Sequence, residues 1–231
     1  MKKTEFFINA TPAVSYGEKT DKGLLFVHGL SGNKFEAEFV AESAVTKGWQ
    51  VIGIDLPEHG GRTDGVKFVP WETIPEFNEV KSFMVKNYSH IAVMAVSIGA
   101  YMSLLAFNET DFAEKCLLVS PVVDMENIIL GMMKADGITD ERLYEEAEIP
   151  ASSGQILSWK YLCYARVNPV KAFCADTSIL YGENDMLIPH NIITDFAEKN
   201  KCRLTVMEGA EHWFHTETQL DFMRKWLDKS L

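Results

Sequence analysis

The sequence predicts an α/β protein with a mostly parallel central sheet flanked by helices. Short apolar runs alternate along the chain with stretches whose apolar residues recur at helical intervals. Such runs are too short for helices and are typical of strands covered on both faces. Strands that alternate with helices favour a parallel sheet built from right-handed crossovers. A length of 231 residues suits one sizeable domain.

The first half of the chain supplies four predicted strands, at residues 5–8, 23–27, 49–54 and 90–96. Residues 11–22 are predicted to form a polar loop. Helices are expected over residues 34–47, 75–87 and from residue 98 onward. Gly48 is well suited to end the first of these helices, and Pro75 is expected to open the second.

In the second half, strands are predicted at residues 115–119, 177–181 and 203–207, with helices over residues 192–199 and 216–227. Residues 122–169 break the alternation, because they contain no convincing strand. We expect them to form a helical cap insertion above the carboxyl edge of the sheet, with residues 1–121 and 170–231 as the core. An ordinary crossover helix with long loops is the alternative interpretation.

Composition limits the partners and the compartment. A net charge of -11 argues against nucleic acid or an anionic membrane surface as a partner. The N-terminal residues lack the apolar core of a signal peptide, and no stretch is long enough to span a membrane, so we expect a cytoplasmic protein without membrane insertion. The four cysteines lie far apart without a C-x-x-C pair and are expected to be reduced.

Ser97 lies where the strand of residues 90–96 meets the following helix. A strand that turns directly into a helix exposes the turn side chain at the sheet edge and needs small neighbours two residues away on either side. Ala95 and Gly99 meet that need, so the stretch AVSIG resembles the G-x-S-x-G nucleophile elbow, with Ala95 in place of the first glycine. A serine that simply caps a helix is the alternative.

A serine nucleophile needs a base, and the base needs a carboxylate that orients it. His212 follows the last predicted strand, and His215 is its nearest competitor, although it lies closer to the final helix. Asp185 follows the preceding strand, with Glu183 and Asp124 as rival carboxylates. Parallel strands deliver such residues to one edge of the sheet.

The loop HGLSG follows the second predicted strand. Its glycines allow a backbone N–H, expected to be that of Leu30, to meet the N–H of Ile98 at an oxyanion. His28 is then expected to support this loop rather than to transfer protons.

Together, the motifs HGLSG, AVSIG, YGEND and GAEHWF resemble those of the serine α/β-hydrolases over nearly the whole chain. The chain is similar to the small capped esterase and lipase-like members, including bacterial acyl and feruloyl-type esterases. This resemblance implies the α/β-hydrolase fold, a catalytic triad of Ser97, Asp185 and His212, and no metal or organic cofactor. It favours Asp185 over Glu183, since many members of this fold place the acid in a G-x-x-D turn.

The expected function is hydrolysis of carboxylic esters of small to medium acyl or aromatic acids through an acyl-enzyme. Thioesterase, lactonase or peptidase activity on the same triad is an alternative, as is a non-catalytic binding protein on this scaffold. The Met, Trp and Tyr residues of the insertion are consistent with an apolar pocket and equally with packing onto the core. The substrate is expected to be a small molecule, and the sequence favours neither a monomer nor a homodimer.

Overall fold

The central sheet has eight strands. A computed structural model describes residues 1–108, 112–174 and 176–231. The strands of this sheet are β1 (Lys3–Ile8), β2 (Thr11–Tyr16), β3 (Lys22–Val27), β4 (Trp49–Ile54), β5 (His90–Val96), β6 (Lys115–Val119), β9 (Thr177–Gly182) and β10 (Arg203–Met207). Their order across the sheet is β1-β2-β4-β3-β5-β6-β9-β10. The pairings of β2 with β1 and with β4 are antiparallel and the other five pairings are parallel, so the predicted mostly parallel sheet is confirmed.

The helices are α1 (Ala37–Ala44), α2 (Pro70–Asn87), α3 (Ser97–Ala106), α4 (Met125–Ala135), α5 (Asp140–Glu146), α6 (Trp159–Val167), α7 (His190–Lys199) and α8 (Glu217–Ser230). Two 3-10 turns, Lys34–Glu36 and Val45–Lys47, extend α1 at its two ends. Gly48 follows the second turn with φ of +83°, a left-handed conformation that glycine adopts without strain. The predicted helix end at Gly48 is therefore correct.

Strand register brings the candidate site residues to one edge. Val27 of β3 lies opposite Ala95 of β5, and Val96 lies opposite Val119 of β6. Val119 in turn lies opposite Leu180 of β9. The residues that directly follow these parallel strands therefore emerge side by side at the carboxyl edge of the sheet.

The core lies on both faces of this sheet. Leu24, Phe26 and Met94 belong to a buried cluster that also contains residues of α1 and α8, whereas α2 and α3 pack against each other and against β3. Every residue of β4 is buried. Each large apolar side chain buried in this way contributes roughly 1.5–3 kcal/mol, so the sheet is a firm base for the loops at its edge.

Strand β2 is absent from the sequence prediction, which had a polar loop there. Ile8 pairs with Thr11 across a two-residue turn, in which Asn9 has φ of +51°. Asparagine tolerates this left-handed conformation better than most residues, so Asn9 was the available signal. The strand itself is defined by pairing with both β1 and β4 rather than by a local apolar pattern.

The predicted start of α2 at Pro75 is wrong, since the helix begins at Pro70 and contains Pro75. Pro70 is the first helical residue, where the missing N–H has no partner to lose. In the sequence either proline satisfies this rule, so the local signal does not distinguish them.

The chain divides into two compact units, residues 1–122 with 171–231, and residues 123–170. The second unit contains α4, α5 and α6 together with an antiparallel pair, β7 (Glu148–Pro150) and β8 (Ile156–Ser158). Arg166 on α6 binds Glu126 of α4 at 3.0 Å and Asp140 of α5 at 2.8 Å. The expectation of a strand-free insertion is wrong at β7 and β8, because strands of three residues are too short to leave a periodic pattern.

Candidate active site

Ser97 occupies a strained turn between β5 and α3. Its φ is +50°, a left-handed conformation that costs a non-glycine residue roughly 1–2 kcal/mol. A Cβ on Gly99 would lie 2.2 Å from the carbonyl oxygen of His28, so the helix can approach the loop after β3 only with glycine there. Ala95 is fully buried within the ladder opposite Val27, and its methyl group is accommodated beside the elbow.

A chain of hydrogen bonds joins Ser97, His212 and Asp185. Ser97 Oγ lies 2.8 Å from His212 Nε2, and His212 Nδ1 lies 2.6 Å from Asp185 Oδ2. A carboxylate only accepts, so Nδ1 carries the proton and Nε2 is left to accept from the serine hydroxyl. The Asp185 side chain is fully buried, whereas that of His212 is 22% exposed. The imidazole therefore contacts the serine and keeps part of its surface open to solvent.

The second carboxylate oxygen of Asp185 is held by the turn that carries it. Asp185 Oδ1 accepts the backbone N–H groups of Leu187 at 2.8 Å and Ile188 at 2.9 Å. With the bond from His212, the buried carboxylate accepts three hydrogen bonds. These three bonds fix the orientation of the carboxylate.

The acid turn after β9 and the histidine loop after β10 are bonded to each other. Glu183 N–H donates to the carbonyl of Met207 at 3.0 Å, and Asn184 N–H donates to that of Ala210 at 2.8 Å. The Glu183 carboxylate accepts the N–H of Gly209 at 2.9 Å. These three bonds fix the relative position of the two loops.

Gly182 lies at the crossing of these loops. A Cβ there would meet the carbonyl oxygen of Glu211 at 2.3 Å and that of Ala210 at 2.6 Å. Residue 211 directly precedes His212. The absence of a side chain at Gly182 therefore lets the histidine loop reach the acid.

The rival residues have other partners. Glu183 binds Gly209, and Asp124 caps α4 by accepting the N–H of Asn127 at 2.9 Å. His215 donates its backbone N–H to Gln219 at the start of α8, at 3.0 Å. Of the candidates named from the sequence, the structure brings only Asp185 and His212 into a hydrogen-bonded chain with Ser97.

The loop after β3 lies against the nucleophile. A Cβ on Gly29 would be 3.4 Å from Ser97 Cβ, so Leu30 follows directly on a residue that touches the elbow. Ile98 is the second residue of α3, and N–H groups of a first helical turn have no carbonyl partner within the helix. The two predicted oxyanion donors thus belong to adjoining backbone segments.

His28 is fully buried beneath this loop. Its Nε2 accepts the N–H of Leu56 at 3.1 Å, which leaves Nδ1 to donate to the carbonyl of Gly29 at 2.7 Å. Burial lowers the pKa of His28 to about 4. A neutral imidazole with both nitrogens bonded to the backbone supports the loop, as the sequence indicates.

Sequence reasoning missed the segment after β6. Ser120 is fully buried with φ of +44°, and its N–H donates to the carbonyl of Leu180 at 2.8 Å. Val122 N–H then donates to the carbonyl of Ser97 itself at 3.2 Å. The position of Ser120 directly after β6, as Ser97 directly follows β5, was the available signal. Serine followed by proline is also typical of an ordinary turn, however.

The described residues contain neither a metal-binding cluster nor a membrane-spanning helix. Within residues 1–108, 112–174 and 176–231, no group of three or more His, Cys, Asp or Glu side chains is arranged to hold a metal ion. In the same ranges, no helix has both the length and the apolar character needed to cross a bilayer. The four cysteine thiols are free, and those of Cys116 and Cys174 are buried.

The comparisons with known proteins identify the fold. No protein-family model and no curated protein matches the chain. Among solved structures, it is similar to Est1E from Butyrivibrio proteoclasticus with bound ferulic acid, with a TM-score of 0.78, 18% identity, and coverage of 98% of this chain and 96% of that chain. It is also similar to mouse alpha/beta hydrolase domain-containing protein 10, with a TM-score of 0.74, 11% identity, and coverage of 99% and 98%. An esterase from Pyrococcus furiosus gives a TM-score of 0.66 and 19% identity, with coverage of 99% and 88%.

At identities this low, structural likeness shows the fold and not the activity. The chain has the α/β-hydrolase fold, as the four motifs predict.

Proposed function

We propose that the protein is a serine hydrolase that cleaves carboxylic esters through an acyl-enzyme. The observation that carries the proposal is the hydrogen-bonded chain from Asp185 through His212 to Ser97 at a strained elbow. A buried carboxylate, a correctly oriented imidazole and a serine hydroxyl are the groups that nucleophilic acyl transfer requires. A pure binding protein has no need of all three.

In the first half-reaction, Ser97 Oγ attacks the ester carbonyl carbon while His212 Nε2 takes the hydroxyl proton. The tetrahedral oxyanion accepts hydrogen bonds from the N–H groups of Leu30 and Ile98, where each such donor is worth about 10²–10³ in rate. The bond from carbon to the alcohol oxygen then breaks, and His212 gives that oxygen its proton. The products are a free alcohol and an ester of Ser97.

In the second half-reaction, His212 takes a proton from a water molecule whose oxygen attacks the acyl carbon. The new tetrahedral intermediate collapses, Ser97 regains its proton from His212, and the carboxylic acid leaves. Asp185 remains an acceptor throughout, holding the imidazole in place and stabilising its positive charge.

The surroundings of these groups favour an uncharged substrate with apolar parts. Exposed apolar side chains lie on the same loops as the site residues, namely Leu30, Met186, Leu187 and Trp213. The net charge of -11 repels anionic substrates. We further propose that residues 123–170 are the helical cap insertion expected from the sequence, in keeping with their place in the chain between β6 and β9.

The test is hydrolysis of p-nitrophenyl esters from acetate to long acyl chains by the wild type, Ser97→Ala and Ser82→Ala. Ser82 is an exposed serine of α2 and serves as the matched control. We expect Ser97→Ala to lower kcat by about 10³-fold or more and to abolish labelling by a fluorophosphonate, while Ser82→Ala behaves as the wild type. Full esterase activity in Ser97→Ala would end the proposal. Wild type that cleaves thioesters or amides but no oxygen ester would redirect it.

A further inference from the structure

Trp213 is an unusually exposed indole directly beside the base. It follows His212 in the chain and is 72% exposed. Burying an aromatic side chain of this size is strongly favourable, so leaving it in water forgoes a large apolar gain. A large exposed aromatic residue on a site loop is a candidate contact for a ligand.

The indole is held in place rather than free to rotate. Its ring stacks on the imidazole of His215, with centroids 4.5 Å apart and 21° between the planes. His215 Nδ1 lies 2.8 Å from the carbonyl oxygen of Trp213. The backbone N–H of His215 donates to Gln219 Oε1 at 3.0 Å. Gln219 is buried and also accepts the N–H of Thr216, so the stack is anchored to the start of α8. Stacking of a ligand on this indole therefore costs little additional conformational entropy of the protein.

The chemistry assigns this position to one side of the substrate. In the function proposed above, on which this inference rests, His212 gives its proton to the oxygen of the departing alcohol. Consecutive Cα atoms are about 3.8 Å apart, and an indole extends well beyond that distance. The alcohol oxygen is thus the substrate atom that receives its proton from the residue directly preceding Trp213 in the chain.

We propose that Trp213, stacked on His215, is a specificity-determining platform for a planar aromatic group in the alcohol part of the ester. One face of the indole is covered by His215, and the opposite face is available to a second flat ring. Offset stacking of two rings adds a preference that a saturated ring of equal size does not obtain. The preferred substrates are neutral aryl or arylmethyl esters.

The test compares benzyl acetate with cyclohexylmethyl acetate, which have the same acyl group and leaving groups of nearly equal size. The wild type is expected to prefer the benzyl ester in kcat/KM by about three- to tenfold, the range that a single aromatic pair supplies. Trp213→Leu should abolish this preference through a higher KM for the benzyl ester, and Trp213→Phe should retain part of it. Phe7→Leu is the control, because Phe7 on β1 is an aromatic residue of similar exposure, 68%.

A second ester pair, ethyl phenylacetate and ethyl cyclohexylacetate, places the ring on the acyl side. We expect Trp213→Leu to leave the ratio for this pair unchanged. The proposal is overturned if Trp213→Leu changes kcat/KM equally for both alcohol-side esters, or changes it for neither. It is also overturned if Trp213→Leu changes only the kcat/KM ratio of the acyl-side pair. If no ester shows Ser97-dependent hydrolysis, the proposed function fails and takes this inference with it, which is a distinct outcome.

Discussion

Replacing Gly182 by alanine should separate the acid turn from the histidine loop. The added Cβ would lie 2.3 Å from the carbonyl oxygen of Glu211, whereas such contacts in proteins stay above 3.0 Å. Either loop must therefore move by at least about 0.7 Å, and by about 1.1 Å to reach the ordinary contact distance of 3.4 Å. The moving atoms directly precede His212.

This displacement acts on a 2.6 Å hydrogen bond between His212 and Asp185. A misplacement of about 1 Å in a catalytic group can cost about 10²-fold in rate, so we expect kcat to fall by roughly that factor. Overpacking of this kind destabilises a fold by about 1–3 kcal/mol, which should lower Tm by several degrees without unfolding the protein at 25 °C. The KM is expected to change little, since the added Cβ of residue 182 meets the backbone of residues 210 and 211.

The assay is steady-state hydrolysis of p-nitrophenyl acetate, with the rate of fluorophosphonate labelling and thermal melting measured on the same samples. Gly61→Ala is the matched control, because a Cβ at Gly61 meets nothing within 4 Å. It should keep the wild-type kcat. If both Gly182→Ala and Gly61→Ala keep the wild-type kcat and labelling rate, the close approach of the two loops does not position His212.

Two further predictions concern His28 and Glu183. The His28 pKa of about 4 in the folded protein lies below the value near 6.5 expected when unfolded. Its contribution to stability is therefore complete above about pH 6.5 and is lost as the pH falls toward 4, by up to about 3 kcal/mol. In urea unfolding, the free energy of unfolding should fall less between pH 7.5 and pH 4.5 in His28→Gln than in the wild type. An equal fall in both proteins would contradict this prediction. For Glu183→Ala, loss of the exposed bond to Gly209 should lower kcat about three- to fivefold with KM unchanged. Glu183→Gln keeps a hydrogen-bond acceptor and should retain most of the wild-type kcat. An equal loss of kcat in both variants would show that the charge of Glu183 matters instead of the hydrogen bond.

The strands that are buried on both faces could be predicted because their signal is local. Residues 23–27 and 115–119 form β3 and β6 almost as expected, since continuous apolar runs have few other uses in a chain of this length. Strand β2 could not be predicted, because Pro12 and Ser15 interrupt its apolar residues. Its existence depends on pairing with the neighbouring strands β1 and β4. The choice between Pro70 and Pro75 fails for a similar reason, since both satisfy the same local rule.

At the site, the sequence indicated which residue types should gather but not what holds them. The positions of Ser97 after β5 and of His212 after β10 follow from the alternating pattern, and the structure joins the two residues by a hydrogen bond. The bond from Val122 to the carbonyl of Ser97 and the close approach at Gly182 depend on how loops from distant parts of the chain cross. No pattern within a single segment records such a crossing.

The pairing of β6 with β9 sets the order in which the site can be completed. Cys116 lies opposite Thr177, so these neighbouring strands are separated along the chain by everything from residue 120 to residue 176. Closing a flexible loop of that length costs about 3.6 kcal/mol of chain entropy, compared with almost nothing for the two-residue turn between β1 and β2. During synthesis, Ser97 and strands β1–β6 emerge before β9 and β10, the strands that Asp185 and His212 follow. The nascent chain therefore carries the proposed nucleophile without its base, and the proposed chemistry starts only when β9 and β10 have joined the other six strands of the sheet.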